Sequence, residues 1–362
     1  MEASVSVTDR EELRSVCVAA AEAGLRWEIR LDSRRSLMPP GHNGPYRQIE
    51  TPARNTAHWL VTFSLAHAWT GRESFRAAGL RLSSFLRDPG PMRTRAGLIH
   101  RQAGGDRCNG VIGPAWIIDG LSHAGSCLDD EEAAALAVHE LNRLPFDERS
   151  KAWRRVDPIS GPASVDYTYN HQAWLAAAAA AVPGGAGLAY AQRFLDGAAS
   201  GSLRVRPDGV AHHILHAPTV KCRLLLGRFA MLRMRRPAAI GAKEAGYHLY
   251  VLFPLIRLRA RFPEHSVFSS AKFRSAVNRA TDPSFIDGLN GNPYAYPYNA
   301  PGFELPIVGA VGLDPGLARE VYERQRRRTW DPATGLHSRG SPDPATLAAR
   351  IFELAIAVEV LT

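Results

Sequence analysis

Residues 55–69 read NTAHWLVTFSLAHAW, a run that puts apolar side chains on nearly every side of a helix. A helix with no water-facing side must be covered all round by other elements. The segment after it is different. Phe75, Ala78, Leu82 and Phe85 fall three or four residues apart, with Arg72, Glu73, Arg76 and Arg81 between them, so that helix carries one apolar stripe and a solvated back. Thr70-Gly71 separates the two, and together they predict a helical hairpin.

The pair recurs along the chain. Residues 111–124 (VIGPAWIIDGLSHA) are apolar almost all round, and 131–142 are their more polar successor. Residues 171–182 are apolar, followed by a stripe of Leu188, Ala191, Phe194, Leu195 and Ala198. Residues 247–258 precede a weaker helix over 271–278, and 303–313 precede a charged helix over 316–328. At the two ends, 11–23 is amphipathic and 347–361 is apolar. Two kinds of helix therefore alternate as an internal repeat. The arrangement that satisfies both kinds is two concentric rings, with the all-apolar helices inside and the striped ones outside. The expected fold is all-α, an (α/α)6 toroid of six helical hairpins forming one domain over residues 1–362. An open solenoid of the same hairpins would leave one side of each apolar helix in water. Residues 201–218, alternating around Pro207-Asp208-Gly209, predict a small inserted β-hairpin.

Composition narrows the function classes. The chain has 362 residues, 45% hydrophobic and 22% charged, enough to bury a large core. No apolar run reaches the 18 residues a membrane helix needs, so no membrane partner is expected. The first residues, MEASVSVTDREEL, lack the basic and apolar regions of a secretory signal. The cysteines Cys17, Cys108, Cys127 and Cys222 are scattered without a C-x-x-C pair, which argues against a disulfide framework or a zinc ribbon and for a reducing cytoplasm. The net charge of +9 comes mostly from arginine. Its densest runs, 233–236 and 324–328, contain no interleaved aromatics, so they are read as solvated faces and not as a nucleic-acid surface. An anionic small molecule suits the same surplus.

In a two-ring barrel the inner helices run parallel, and their starts meet at one end. The unusual polar clusters lie at those starts: 47–58 (RQIETPARNTAH), 100–110 (HRQAGGDRCNG), 166–174 (DYTYNHQAW), Tyr247-His248 and 290–304 (NGNPYAYPYNAPGFE). Asn55, Asn109 and Asp166 are also good helix caps, but their coincidence across repeats points to one pocket, to which convergent helix dipoles would draw an anion. Arg54, His58, His100, Arg101, Arg107, Asn109, Asn170, Tyr294 and Tyr296 are the expected substrate contacts, with Trp174 a candidate stacking platform. His212, His213 and His216 lack a further ligand type nearby, so no metal is expected and His213 is assigned to a loop lining the pocket. No cofactor is expected. Asp119, inside an apolar helix, is read as a buried hydrogen-bonded carboxylate.

The two-ring repeat with polar inner-helix starts resembles the six-hairpin glycosidase-like group, which includes unsaturated glucuronyl hydrolases, sugar 2-epimerases and several polysaccharide lyases. Asp166-Tyr167-Thr168-Tyr169-Asn170 is similar to the D-x-x-x-N stretch of the unsaturated glucuronyl hydrolases, and that resemblance implies that Asp166 is a general acid and base. Asn170-His171-Gln172-Ala173-Trp174 also resembles the N-H-x-x-W helix start of alginate-type lyases, where Asn and His serve proton abstraction at C5. The hydrolases' W-x-D or H-D pair before the second inner helix is missing; only His100-Arg101 and Asp106-Arg107 stand there. Hydrolysis of an acidic, uronic-acid-type sugar would use Asp166, its pKa lifted by partial burial, with Asp106 or Glu304 as second carboxyl group. A lyase would instead neutralise the substrate carboxylate with Arg54, Arg101, Arg107 and Asn170, and take His171 or a tyrosine (Tyr294, Tyr296, Tyr298) as base. A non-carbohydrate isomerase or cyclase, or a silent binding protein, on the same barrel completes the set.

Overall fold

The computed structural model describes residues 7–215, 237–312 and 314–361. Six inner helices stand in a ring: α2 (Ala53–Thr70), α4 (Ile112–Cys127), α6 (Tyr169–Ala181), α8 (Pro237–Arg261), the short α11 (Pro301–Glu304) with its 3-10 continuation Leu305–Val311, and α14 (Ile351–Val360). Each packs on the next, and α14 packs back on α2, so the ring is closed. The outer layer is α1 (Val7–Gly24), α3 (Glu73–Arg87), α5 (Glu131–Asn142), α7 (Leu188–Gly197), α9 (Ala271–Ala280) with α10 (Pro283–Gly288), and α12 (Pro315–Thr329). This is the (α/α)6 toroid. The burial pattern supplies the reason: α2 is buried at every position from Ala53 to Ala66, whereas α3 buries only the stripe around Phe75, Ala78, Leu82 and Phe85. No described helix is long and apolar enough to cross a membrane.

Three of the expected inner helices differ in the structure, the first because of a proline. The run 303–313 is mostly 3-10, because Pro306 removes the N–H that would bond the carbonyl four residues back. The run 347–361 is broken at Arg350, which closes α13 (Pro344–Ala349) and opens α14. Helix α8 begins ten residues before the expected 247, because the less apolar stretch PAAIGAKEAG is also helical.

The β structure also differs from expectation. The expected hairpin over 201–218 is, in its described part up to 215, a turn with isolated bridges Val205↔Ala211 and Thr168↔Ile214. Pro207 has no N–H for a ladder, and Ile214 leaves the turn to pair at the start of α6. His216 and Cys222, with 233–236, lie outside the described residues. A three-stranded sheet that the periodicity does not reveal (Phe146–Asp147, Ala152–Asp157, Gly161–Val165) delivers the chain to Asp166. Gln172 ties that sheet to α6, accepting from Trp153 N at 2.8 Å and donating to the Trp153 and Asp166 carbonyls at 2.8 Å each.

Candidate active site

Asp166 stands where two inner helices begin. Its Oδ2 accepts Val111 N–H at the start of α4 (2.9 Å) and His171 Nδ1–H (2.8 Å), and its Oδ1 accepts Thr168 N–H at the start of α6 (3.0 Å). The approach is so close that only glycine fits opposite. A Cβ on Gly110 would lie 2.1 Å from Asp166 Oδ2 and 2.5 Å from His171 Nδ1, and its φ of +61° is a left-handed conformation. Burial alone would raise the Asp166 carboxyl. The His171 ring and the two backbone N–H groups outweigh it and hold the group well below the usual carboxylate range. The expected lifted pKa is therefore inverted, and Asp166 is an ionised acceptor at neutral pH. Its bond to Nδ1 fixes the His171 tautomer, leaving Nε2, across the ring, as the acceptor available to the pocket.

That pocket, about 420 Å³, opens where the inner helices begin. Asn43, Tyr46 and Gln48 come from the loop before α2, and Arg101 and Asn109 from the loop before α4. Ile112 and Trp116 of α4 line it with Tyr167, Thr168, Asn170 and His171 at the start of α6. His213 and Ile214 form a further edge, and Lys243, Tyr247 and Tyr250 of α8 with Tyr298 close the wall. None of these side chains is a carboxylate. Tyr46 and Tyr247 share a hydroxyl hydrogen bond at 2.9 Å, and Tyr298 OH donates to Asn43 Oδ1 at 2.7 Å. Burial pulls the His213 pKa down against the nearby Glu244, so the ring is neutral at pH 7. Glu244 itself, although burial would raise it, is held at about 2 by the hydrogen bond from His212 at 2.8 Å and the nearby His213 ring.

A curated relative, archaeal glycosylation protein Q of Haloferax volcanii, is 35% identical over 360 residues, covering 94% of this chain and 96% of that protein. The chain belongs to the archaeal glycosylation protein Q family. No protein-family model matches it. Among solved structures, a D-mannose isomerase is similar over 99% of both chains with a TM-score of 0.65 at 13% identity. A heparin-specific unsaturated glucuronyl hydrolase covers 98% of this chain and 97% of its own (TM-score 0.59, 9% identity). An alpha-1,6-mannanase of Salegentibacter sp. HEL1_6 covers 97% and 100% (TM-score 0.56, 12% identity). At these identities the likeness establishes the six-hairpin glycosidase-like fold alone.

Within this family member the expected site residues divide sharply. Arg101, Asn109, Asn170, His171, His213 and Tyr298 face the pocket, with Asp166 directly behind His171. The others do not line it. Asp106 is turned to the α4 start, accepting Gly110 N–H at 3.0 Å and Arg101 at 3.3 Å. Arg107 offers its backbone N–H to Asp157 outside the wall. Arg54 is buried against Glu50 (3.1 Å) and lies 4.3 Å from the Trp116 ring centroid. His58 stacks on Phe352 at 4.1 Å, and burial with the Arg54 and Arg350 charges keeps it neutral. His100 is buried beside Cys108, and burial pushes its pKa down to about 3. Trp174 is core: its Nε1 donates to the Tyr250 carbonyl (3.1 Å) and its ring stacks on Phe253. Tyr294 packs behind Tyr46 and Tyr247, and Tyr296 packs against Arg328.

Glu304 is the largest correction among the carboxyl candidates. It is sealed in the core, bonded to Arg350 at 2.6 Å, and Arg350 also pairs with Glu353 at 2.8 Å. Burial lifts Glu304 to about 7 against the pull of Arg350. Asp119 is, as expected, buried and bonded, held by Arg257 through two 2.8 Å contacts. The lining residues that sequence reasoning missed are Asn43, Tyr46, Lys243 and Tyr250, whereas Gln48 lies in the nominated cluster 47–58. Lys243 had a readable signal, a lone lysine in a potentially helical lead-in to an inner helix; the loop residues had none.

Proposed function

We propose that this protein is a carbohydrate-modifying enzyme that moves a proton at a carbon beside a sugar carbonyl, an isomerase or epimerase with His171 as base. The observation that carries the reading is a carboxylate-oriented histidine in a pocket whose described lining contains no Asp or Glu. The usual glycosidase routes need two carboxyl groups flanking the bond to be cleaved. Here Asp166 already accepts three protein hydrogen bonds, and Asp106 and Glu304 are engaged away from the pocket. Proton abstraction needs a base in reach and donors for the developing oxyanion. His171 Nε2 supplies the first. Asn109 and the tyrosine hydroxyls supply the second, and neutral His213 is available to exchange a proton with the substrate oxygen. The relative's name, a glycosylation protein, supports a carbohydrate as substrate. The acidic sugar expected from the sequence is retained, because Arg101 and Lys243 stand in the described lining.

A second reading, β-elimination from an acidic saccharide, would use the same base. It is favoured by Asn170, which lines the pocket beside His171 with Oδ1 buried and unpartnered among the described residues. The deciding experiment is incubation with aldoses, ketoses and uronates in D2O, read by NMR. Exchange of a carbon-bound proton, lost in His171→Gln, is expected. Release of a reducing sugar from a glycoside without such exchange overturns the reading, and an unsaturated product selects the elimination.

A further inference from the structure

We propose that Asp343, which lies outside the pocket, is a positioning residue that clasps the loop before α2 and so shapes the substrate-binding wall. The inference rests on the proposed carbohydrate pocket for the class of ligand, and on geometry for the rest. Residues 41–50 form a closed loop, its base joined by Glu50 N–H to the Gly41 carbonyl at 3.0 Å. It carries Asn43, Tyr46 and Gln48 into the pocket wall. Asn43 (φ 60°) and Arg47 (φ 51°) both adopt the left-handed conformation that side chains disfavour. Such a loop keeps its shape only where its surroundings hold it.

Asp343, near the other end of the chain, supplies that hold. It is buried, and its Oδ2 accepts His42 N–H at 2.9 Å and Gly44 N–H at 3.0 Å. The loop packs so closely there that a Cβ on Gly41 would lie 2.8 Å from both Asp343 carboxylate oxygens. Burial would raise the Asp343 carboxyl, but the two loop N–H groups outweigh it and hold the group below its ordinary value. Between the two clasped amides, Asn43 Oδ1 accepts Tyr298 OH at 2.7 Å and Arg54 at 3.3 Å, and its amide donates to Gln48 Oε1 at 3.2 Å. Ser341 Oγ accepts Asp343 N–H at 3.0 Å and donates to the Pro297 carbonyl at 2.6 Å. The same short segment therefore ties down the loop that bears Tyr298. The Asp166–His171 pair takes its backbone hydrogen bonds from the α4 and α6 starts and none from this clasp. Losing the clasp should loosen substrate binding and spare the proton transfer.

Asp343 Oδ1 also caps α13 through Thr346 N–H at 3.3 Å, so a variant has to separate the clasp from the cap. Asp343→Ser does so, because serine caps a helix start but is too short to reach the two loop amides. Hydrogen exchange of the full chain, read by mass spectrometry, should quicken about tenfold or more over 41–48 and stay unchanged over 344–349. In calorimetric titration with D-glucose, D-mannose and D-glucuronate, affinity for the sugar that binds should fall about tenfold. For a sugar that exchanges its carbon-bound proton, KM should rise by a similar factor while kcat changes less than about threefold. Unchanged exchange over 41–48, equal quickening over both segments, or a loss of kcat with KM kept overturns the clasp. Asp343→Asn, nearly isosteric but with one acceptor oxygen for both tasks, serves the same comparison where the serine variant does not fold. A wild-type chain that binds none of the three sugars, with the exchange pattern as expected, keeps the clasp and overturns the carbohydrate reading instead.

Discussion

Asp166 and Glu304 both stand at the starts of inner helices, and both are almost completely buried, yet they occupy opposite electrostatic situations. Asp166 receives two backbone N–H groups and an imidazole N–H, enough to keep its charge despite desolvation. Glu304 has a single guanidinium, which it must share with Glu353. One is pinned as an anion; the other is driven toward its neutral form. The comparison teaches that burial does not by itself make a carboxyl group a general acid. The supply of donors decides, and the group with a lifted pKa lies in the core and not on the described pocket wall.

The largest effect expected from this contrast is on turnover. Asp166→Asn replaces an acceptor of the Nδ1 proton with an amide that disfavours the productive tautomer. Proton exchange on a responsive sugar should fall about 10²–10⁴-fold, as for His171→Gln, while ligand binding persists. If Asp166→Asn keeps full activity, the dyad has no role. Next in size is Arg350→Met, which leaves Glu304 and Glu353 buried without their cation and should cost about 3–5 kcal/mol in denaturant unfolding. Glu304→Gln should be far milder. Gly110→Ala should cost about 1–3 kcal/mol, since it adds a Cβ at positive φ against the dyad, and should lower turnover as well.

The smallest effect is in the pH dependence of stability, where the two carboxyl groups act in opposite directions. Folding depresses the Asp166 pKa, so its contribution is present above the ordinary value of 3.8 and is lost as pH falls below it. Folding raises Glu304 from 4.5 to about 7, so the native state holds more protons in that window and stability falls as pH rises through it. Urea midpoints measured from pH 3 to 8 should show Asp166→Asn flattening the acid limb and Glu304→Gln flattening the decline toward neutrality. Identical profiles would dissolve the distinction.

Half of the pocket was legible in the sequence, for a local reason. Asn109, Asn170 and His171 stand within a few residues of an inner-helix start, so the parallel ring brings them to one rim. Arg54 and His58 share that address but point into the barrel, where they pair with Glu50 and stack on Phe352. Helical phase relative to the neighbouring helices separates the two groups, and that phase depends on how six helices close. Asn43 and Tyr46 arrive on a loop with no periodicity to read.

Alternation of all-apolar and striped helices is a property of each segment alone. It dictates two rings, because no other packing keeps both kinds of surface in their preferred medium. The charge state of each polar group at the rim is different in kind. It depends on donors that come from distant segments, such as Val111 N–H to Asp166 or Arg350 to Glu304. Composition and spacing could nominate those carboxyl groups, but only the closed barrel could decide which of them remains an anion beside a histidine at the pocket and which is locked away in the core.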